Sequence, residues 1–103
     1  MSSANNPIGS FMRTKTLPVT TGVGELKFSG FAGQVGWRID GDVEKLRRGA
    51  VRLRGALTTT ADIAKDAFRA GEGLLALETG ERYRLTMLGH TDGAEEVFVE
   101  LRL

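Results

Sequence analysis

From Gly22 to Leu103, apolar residues recur at every second position in short runs, and most runs end at a glycine-bearing turn. That period puts successive side chains on opposite faces of an extended chain, so most of the sequence must be β-strand with one apolar face. No other feature limits the possible folds so much.

Leu26 and Phe28 alternate with Glu25, Lys27 and Ser29, and Val35, Trp37 and Ile39 alternate with Gln34, Gly36 and Arg38. The intervening GFAG reads as a four-residue loop, Gly30 to Gly33. This register sets Phe28 opposite Val35, Leu26 opposite Trp37 and Glu25 opposite Arg38, pairing apolar with apolar and acid with base. In GDVEKLRRG, Asp42 caps one short helical turn that ends at Gly49. Alternation resumes in AVRLRGALTTT, with Val51, Leu53 and Leu57 on one face and Arg52 and Arg54 on the other.

TTADIAKDAFRAG predicts the one substantial helix. Thr60 is its N-cap, Asp62 lies in the first turn, Arg69 in the last and Gly71 just beyond, with Ile63, Ala64, Ala67 and Phe68 as its apolar stripe. Three strands complete the chain. In ETGER, a three-residue loop predicts Glu78 opposite Arg82, Leu77 opposite Tyr83 and Leu75 opposite Leu85. In HTDGA, the three-residue loop Thr91-Asp92-Gly93, with glycine at the left-handed position, is closed by His90 and Ala94. Counting outward places Met87 opposite Val97, Leu85 opposite Val99, Tyr83 opposite Leu101 and Arg84 opposite Glu100.

The expected fold is α+β, mainly antiparallel β: a small six-stranded barrel or sandwich with one α-helix, about 61–70, between strands 3 and 4. At 103 residues there is room for one domain. Residues 22–103 form it, preceded by a flexible, polar N-terminal arm over 1–21 in which Phe11, Met12 and Leu17 are the residues able to dock.

Composition excludes several functions. The chain has no cysteine, so disulfides, thiolate nucleophiles and cysteine-based zinc sites are absent. No stretch approaches the roughly 18–20 apolar residues of a membrane span, and the first residues lack an apolar run of signal-peptide length. These features predict a cytoplasmic protein that does not engage membranes. Net charge is only +1. Its distribution is uneven, because 38–54 carries six basic and three acidic residues whereas 72–100 carries seven acidic and two basic. Opposite charge in the two halves fits contacts between copies, or ladders within one sheet.

His90 is the only histidine and Asp92 follows it closely, which raises acid–base chemistry. No serine elbow, oxyanion motif, paired histidine or HExxH spacing accompanies it, so no catalytic residue, metal or cofactor is assigned. The glycines of GFAGQVG lack both the Gly-Lys-Ser/Thr ending of a phosphate loop and the strand-to-helix context of a dinucleotide site, so they read as hairpin glycines. Arg47, Arg48, Arg52 and Arg54 are the candidate anion-binding strip, because guanidinium forks suit phosphate and carboxylate. No aromatic lies between Trp37 and Phe68 to stack on bases, which counts against nucleic acid. Phe31, at a hairpin tip, and Leu74, Leu88 and Phe98, on the outer face of the sheet, are the candidate interface residues.

The sequence therefore predicts a small non-enzymatic interaction or assembly module that self-associates, as a dimer. The alternative is a binder of an anionic ligand, nucleotide or nucleic acid, through the arginine face. A second alternative is a small enzyme using His90 and Asp92.

Overall fold

The alternation produces a strand in each expected place. The computed structural model describes residues 18–103: β1 (Val19–Phe28), β2 (Phe31–Asp40), α1 (Val43–Arg47), β3 (Leu53–Thr58), α2 (Ala61–Ala70), β4 (Glu72–Leu77), β5 (Arg82–His90) and β6 (Glu96–Arg102). All pairings are antiparallel and the sheet closes into a six-stranded barrel in the order β1-β2-β3-β6-β5-β4, with β4 returning to β1. Barrel, not sandwich, is thus the architecture. The first strand begins at Val19, inside the span expected to be arm, because Val19–Thr21 pair with Arg38–Asp40. Phe11, Met12 and Leu17 lie outside the described residues.

A six-stranded barrel has a narrow interior that side chains must fill without colliding. Here large inward residues face glycines across the strands. Trp37 faces Gly22, Val35 faces Gly24, Leu26 faces Gly33, Val99 and Ile39 face Gly55, and Leu85 faces Gly73. A methyl group at Gly22 would lie 2.6 Å from Trp37 Cζ2. The remaining interior is aliphatic plus Tyr83, and no polar or charged residue is buried among the described residues. The indole N–H of Trp37 is buried without a hydrogen bond. It faces the Glu78 carboxyl, whose pKa is held below its usual value first by its own backbone N–H, then by that of Val23, and least by the indole.

This packing moves three registers from those expected, the first by four residues and the other two by two, and these even shifts preserve the inward and outward faces. The first hairpin turns through Ser29-Gly30 alone, with Gly30 left-handed at φ 85°. Phe28 meets Phe31 (ring centroids 5.0 Å apart), Leu26 meets Gly33 and Glu25 meets Gln34. The expected Leu26–Trp37 pair would have set a leucine against the tryptophan on β1 in addition to Leu57, which faces it on β3. The second loop has three residues as expected, but they are Glu78 to Gly80, closed by Leu77 N–H donating to Glu81 O at 2.8 Å. This puts Gly80, φ 95°, last in the loop, where the left-handed residue belongs. Leu75 then faces Tyr83, and Gly73 faces Leu85.

In the third hairpin Gly93 is left-handed as expected, but the turn sits inside a longer loop and β5 carries a bulge between Met87 and Gly89. Met87 faces Val99, Leu85 faces Leu101 and Arg84 faces Arg102, in place of the expected Val97, Val99 and Glu100. Tyr83 and Leu101 still share the buried face.

The two crossings close the barrel's ends. Asp42 caps α1 by accepting from Glu44 N–H, and Gly49, φ 75°, ends it, with its own N–H and that of Ala50 donating to Leu46 O and Lys45 O. Leu46 is driven into the core at that end. At the other end α2, capped by Thr60 on Ile63 N–H and ended by left-handed Gly71, carries the chain from β3 across to β4 and seats Ala64 and Ala67 against β4, β5 and β6.

Gly55 supplies the test of the packing rule. A methyl there would collide with the backbone oxygen of Arg38, which cannot swing aside. Gly55→Ala is expected to destabilise the barrel by about 2–3 kcal/mol, lowering Tm by roughly 8–20 °C for a domain of this size. Outward-facing Gly36, with its nearest neighbour at 3.6 Å, is the control. Gly36→Ala should leave Tm unchanged or raise it, and calorimetry on both variants reads the difference.

Candidate anion-binding surface

The hairpin that carries His90 and Asp92 is held by its own hydrogen bonds. Ala94 N–H donates to Thr91 O at 2.8 Å, and His90 Nε2 lies 2.9 Å from Ala94 O, a contact that requires the proton on Nε2. The bulge turns His90 towards α2, where its ring stands 6.3 Å from that of Phe68. His90 and Asp92 form no hydrogen bond or ion pair with each other among the described residues. Nor do three or more His, Asp or Glu groups there gather in an arrangement that could hold a metal ion.

The four arginines singled out by sequence do not form one strip. Arg47 is clamped between Glu44 and Glu81, with Nε 2.9 Å and Nη2 2.8 Å from Glu81 Oε2. Arg48 bonds back to Glu44 O at 3.4 Å. Arg52 reaches Glu100 at 3.7 Å, and Arg54 sits between Glu100 and Asp40 in the strand register. Arg47 belongs to the structure of the closed end, because Glu81 also accepts from the Tyr83 hydroxyl at 2.9 Å.

A different set of cations is brought together. On the outer face, the cross-strand partners run Lys27 to Leu74, Leu74 to Arg84 and Arg84 to Arg102, one row over β1, β4, β5 and β6. Arg84 and Arg102 are directly opposed, and neither forms an ion pair among the described residues. Residues 1–17 contain no aspartate or glutamate, so that segment has no carboxylate side chain to offer them. Like charges directly opposite destabilise a sheet. The row lines a cleft of about 520 Å³ whose walls also include Phe28, Glu72, Gly73 and Leu85. A second hollow of about 510 Å³ begins at the same Arg102 and continues past Arg52, Ala50 and Gly49.

The interface candidates also separate. Leu88 and Phe98 lie together beside the β5 bulge, 43% and 44% exposed, with Phe68 of α2 near the same end at 41%. Leu74, 51% exposed, stands apart in the cationic row, divided from them by the row Glu72, Thr86 and Glu100. Phe31 is half-buried against Phe28 and the core. Lys27, Arg84 and Arg102 escaped the sequence reading because the expected register gave Arg84 an acidic partner.

No family model, curated protein or solved structure matches the chain. No helix among the described residues is long and apolar enough to cross a membrane.

Burial first, and then the hydrogen bond to Glu81, push the Tyr83 hydroxyl from its ordinary value near 10 up to about 12. Because the folded value is the higher, this group's contribution to stability is complete below about pH 10 and is lost as pH rises through about 12. Tyr83 is the only tyrosine, so tyrosinate absorbance reads it directly. The native protein should titrate near 12 and the urea-unfolded chain near 10, with Tm falling over that interval.

Proposed function

We propose that this chain is a non-enzymatic binding module, acting in the cytoplasm, that holds an anionic ligand on the outer face of β1, β4, β5 and β6. The observation that carries this reading is the opposition of Arg84 and Arg102, without carboxylate partners, over a cleft that Lys27 also lines. A sheet that only had to be soluble would gain by placing an acid at one of those positions. An anion bridging the two guanidinium groups turns that repulsion into charge-assisted hydrogen bonds. The cleft lies within the 300–1,000 Å³ range of ligand sites, and Leu74 and Phe28 give it an apolar floor.

The test is retention on immobilised heparin, eluted with sodium chloride. The wild-type protein should be retained at low salt. Arg84→Ala with Arg102→Ala should weaken binding by about tenfold per residue. Arg48→Ala with Arg69→Ala removes the same charge elsewhere and should have a smaller effect. Equal elution of the two double variants would reject the site.

Self-association is a second reading, favoured by the exposed apolar group Phe68, Leu88 and Phe98. A two-fold contact through this patch would cover it and give a homodimer. Light scattering after size exclusion should then give a mass that rises with concentration, and Leu88→Ser with Phe98→Ser should return the protein to the monomer mass of 11.1 kDa.

A further inference from the structure

The cations do not converge on a point. Lys27 and Arg102 lie on strands three apart in the order β1-β4-β5-β6 and line the first hollow, whereas Arg52 lines the second hollow with Arg102. A single phosphate group cannot touch both ends of such a row, whereas a chain of phosphates can. The two hollows that share Arg102 extend the same line, from Lys27 and Phe28 at one end to Arg52 and Gly49 at the other. The row is one residue wide. Glu72 and Glu100 border it on one side, with Glu100 3.7 Å from Arg52, and Glu25 on the other, 3.9 Å from Lys27, so the two end cations share their charge with an acid while, among the described residues, Arg84 and Arg102 do not.

We infer that the ligand is a single nucleic-acid strand, laid across the barrel strands and held by its phosphates from Lys27 through Arg84 and Arg102 to Arg52. This rests on the anion-binding reading above and deepens it. A duplex or an anionic bilayer is broader than the row, and would press its charge onto Glu72 and Glu100. A single backbone passes between those acids and Glu25. Among the described residues Phe28 is the one aromatic lining the trough, and it is already stacked on Phe31, so it has little face left for a base. Recognition is therefore of the backbone, independent of sequence, and strongly dependent on salt.

Fluorescence anisotropy with a labelled 20-nucleotide oligo(dT) tests this, with ATP, a 20-base-pair duplex and vesicles containing phosphatidylserine as the other arms. Four phosphate contacts predict that log affinity falls with log salt at a slope of about −3, from roughly −0.7 per contact for single strands. Arg84→Ala with Arg102→Ala should reduce that slope by about 1.4. Lys27→Ala with Arg52→Ala, at the two ends, should do the same, whereas it would barely affect a ligand seated only between Arg84 and Arg102. ATP binding as tightly as the oligonucleotide, with dependence on Arg84 and Arg102 alone, would overturn the strand and leave the anion site standing. Preference for duplex or vesicles, again lost in the Arg84 and Arg102 variant, would do likewise. No binding in any arm would remove both.

Discussion

Everything in this barrel follows from how little room six strands enclose. Trp37 and Tyr83 both lie inside, with a shell of leucine, isoleucine and valine around them. They fit because Gly22, Gly24, Gly33, Gly55 and Gly73 are placed across from the large residues. Each such pair combines a full side chain with bare backbone, so the neighbouring strand can come close where the indole or an isobutyl group needs space. The glycines fix the register as firmly as the apolar groups do. Sliding β1 by four residues would set Leu26 against the tryptophan, which already faces Leu57 on β3.

That rule explains what was legible and what was not. The outward and inward faces could be read from period two, because alternation belongs to each strand alone. The two helices could be read from Asp42, Thr60, Gly49 and Gly71, since capping is a matter of a few adjacent residues. Register is a property of two strands and of the space between them. Pairing large with large, as in Leu26 with Trp37, suits an open sheet packed against another layer. Inside a small closed barrel, where Trp37 already meets Leu57 on β3, the position facing it on β1 is left to Gly22. The left-handed glycine of each turn carried the missing information: placing Gly80 last in its loop, instead of in the middle, yields the observed pairing of Leu75 with Tyr83.

The candidate site was hidden by the same step. Whether Arg84 faces Glu100 or Arg102 depends on a shift of two residues in β6, which exchanges an ordinary ion-pair ladder for a confrontation of like charges. The interior makes that choice. Gly55 must receive Val99, and Leu85 and Leu53 must both meet Leu101, so β6 has one acceptable position against its two neighbours. The outer face then inherits whatever charges that position presents. By contrast, the arginines conspicuous in sequence lie near acids local to them, and Arg47 is consumed in tying α1 to the β4–β5 turn.

The opposition of Arg84 and Arg102 is thus a consequence of core packing in its geometry but not in its chemistry. The core requires only that residues 84 and 102 point outward and face each other. It is indifferent to their charge, and an acid at either position would satisfy the interior equally well while improving the exterior. Glu100 and Glu72 show that acids are accommodated on the adjacent row, where Glu100 pairs with Arg52 and neither acid pairs with Arg84 or Arg102. A row of positive groups bordered by negative ones draws an anion along a line. A broad anionic surface meets repulsion at the edges. On that account the glycines that allow the barrel to close also set Arg84 against Arg102, and the fold and the proposed site have a common origin in the pairing of β6.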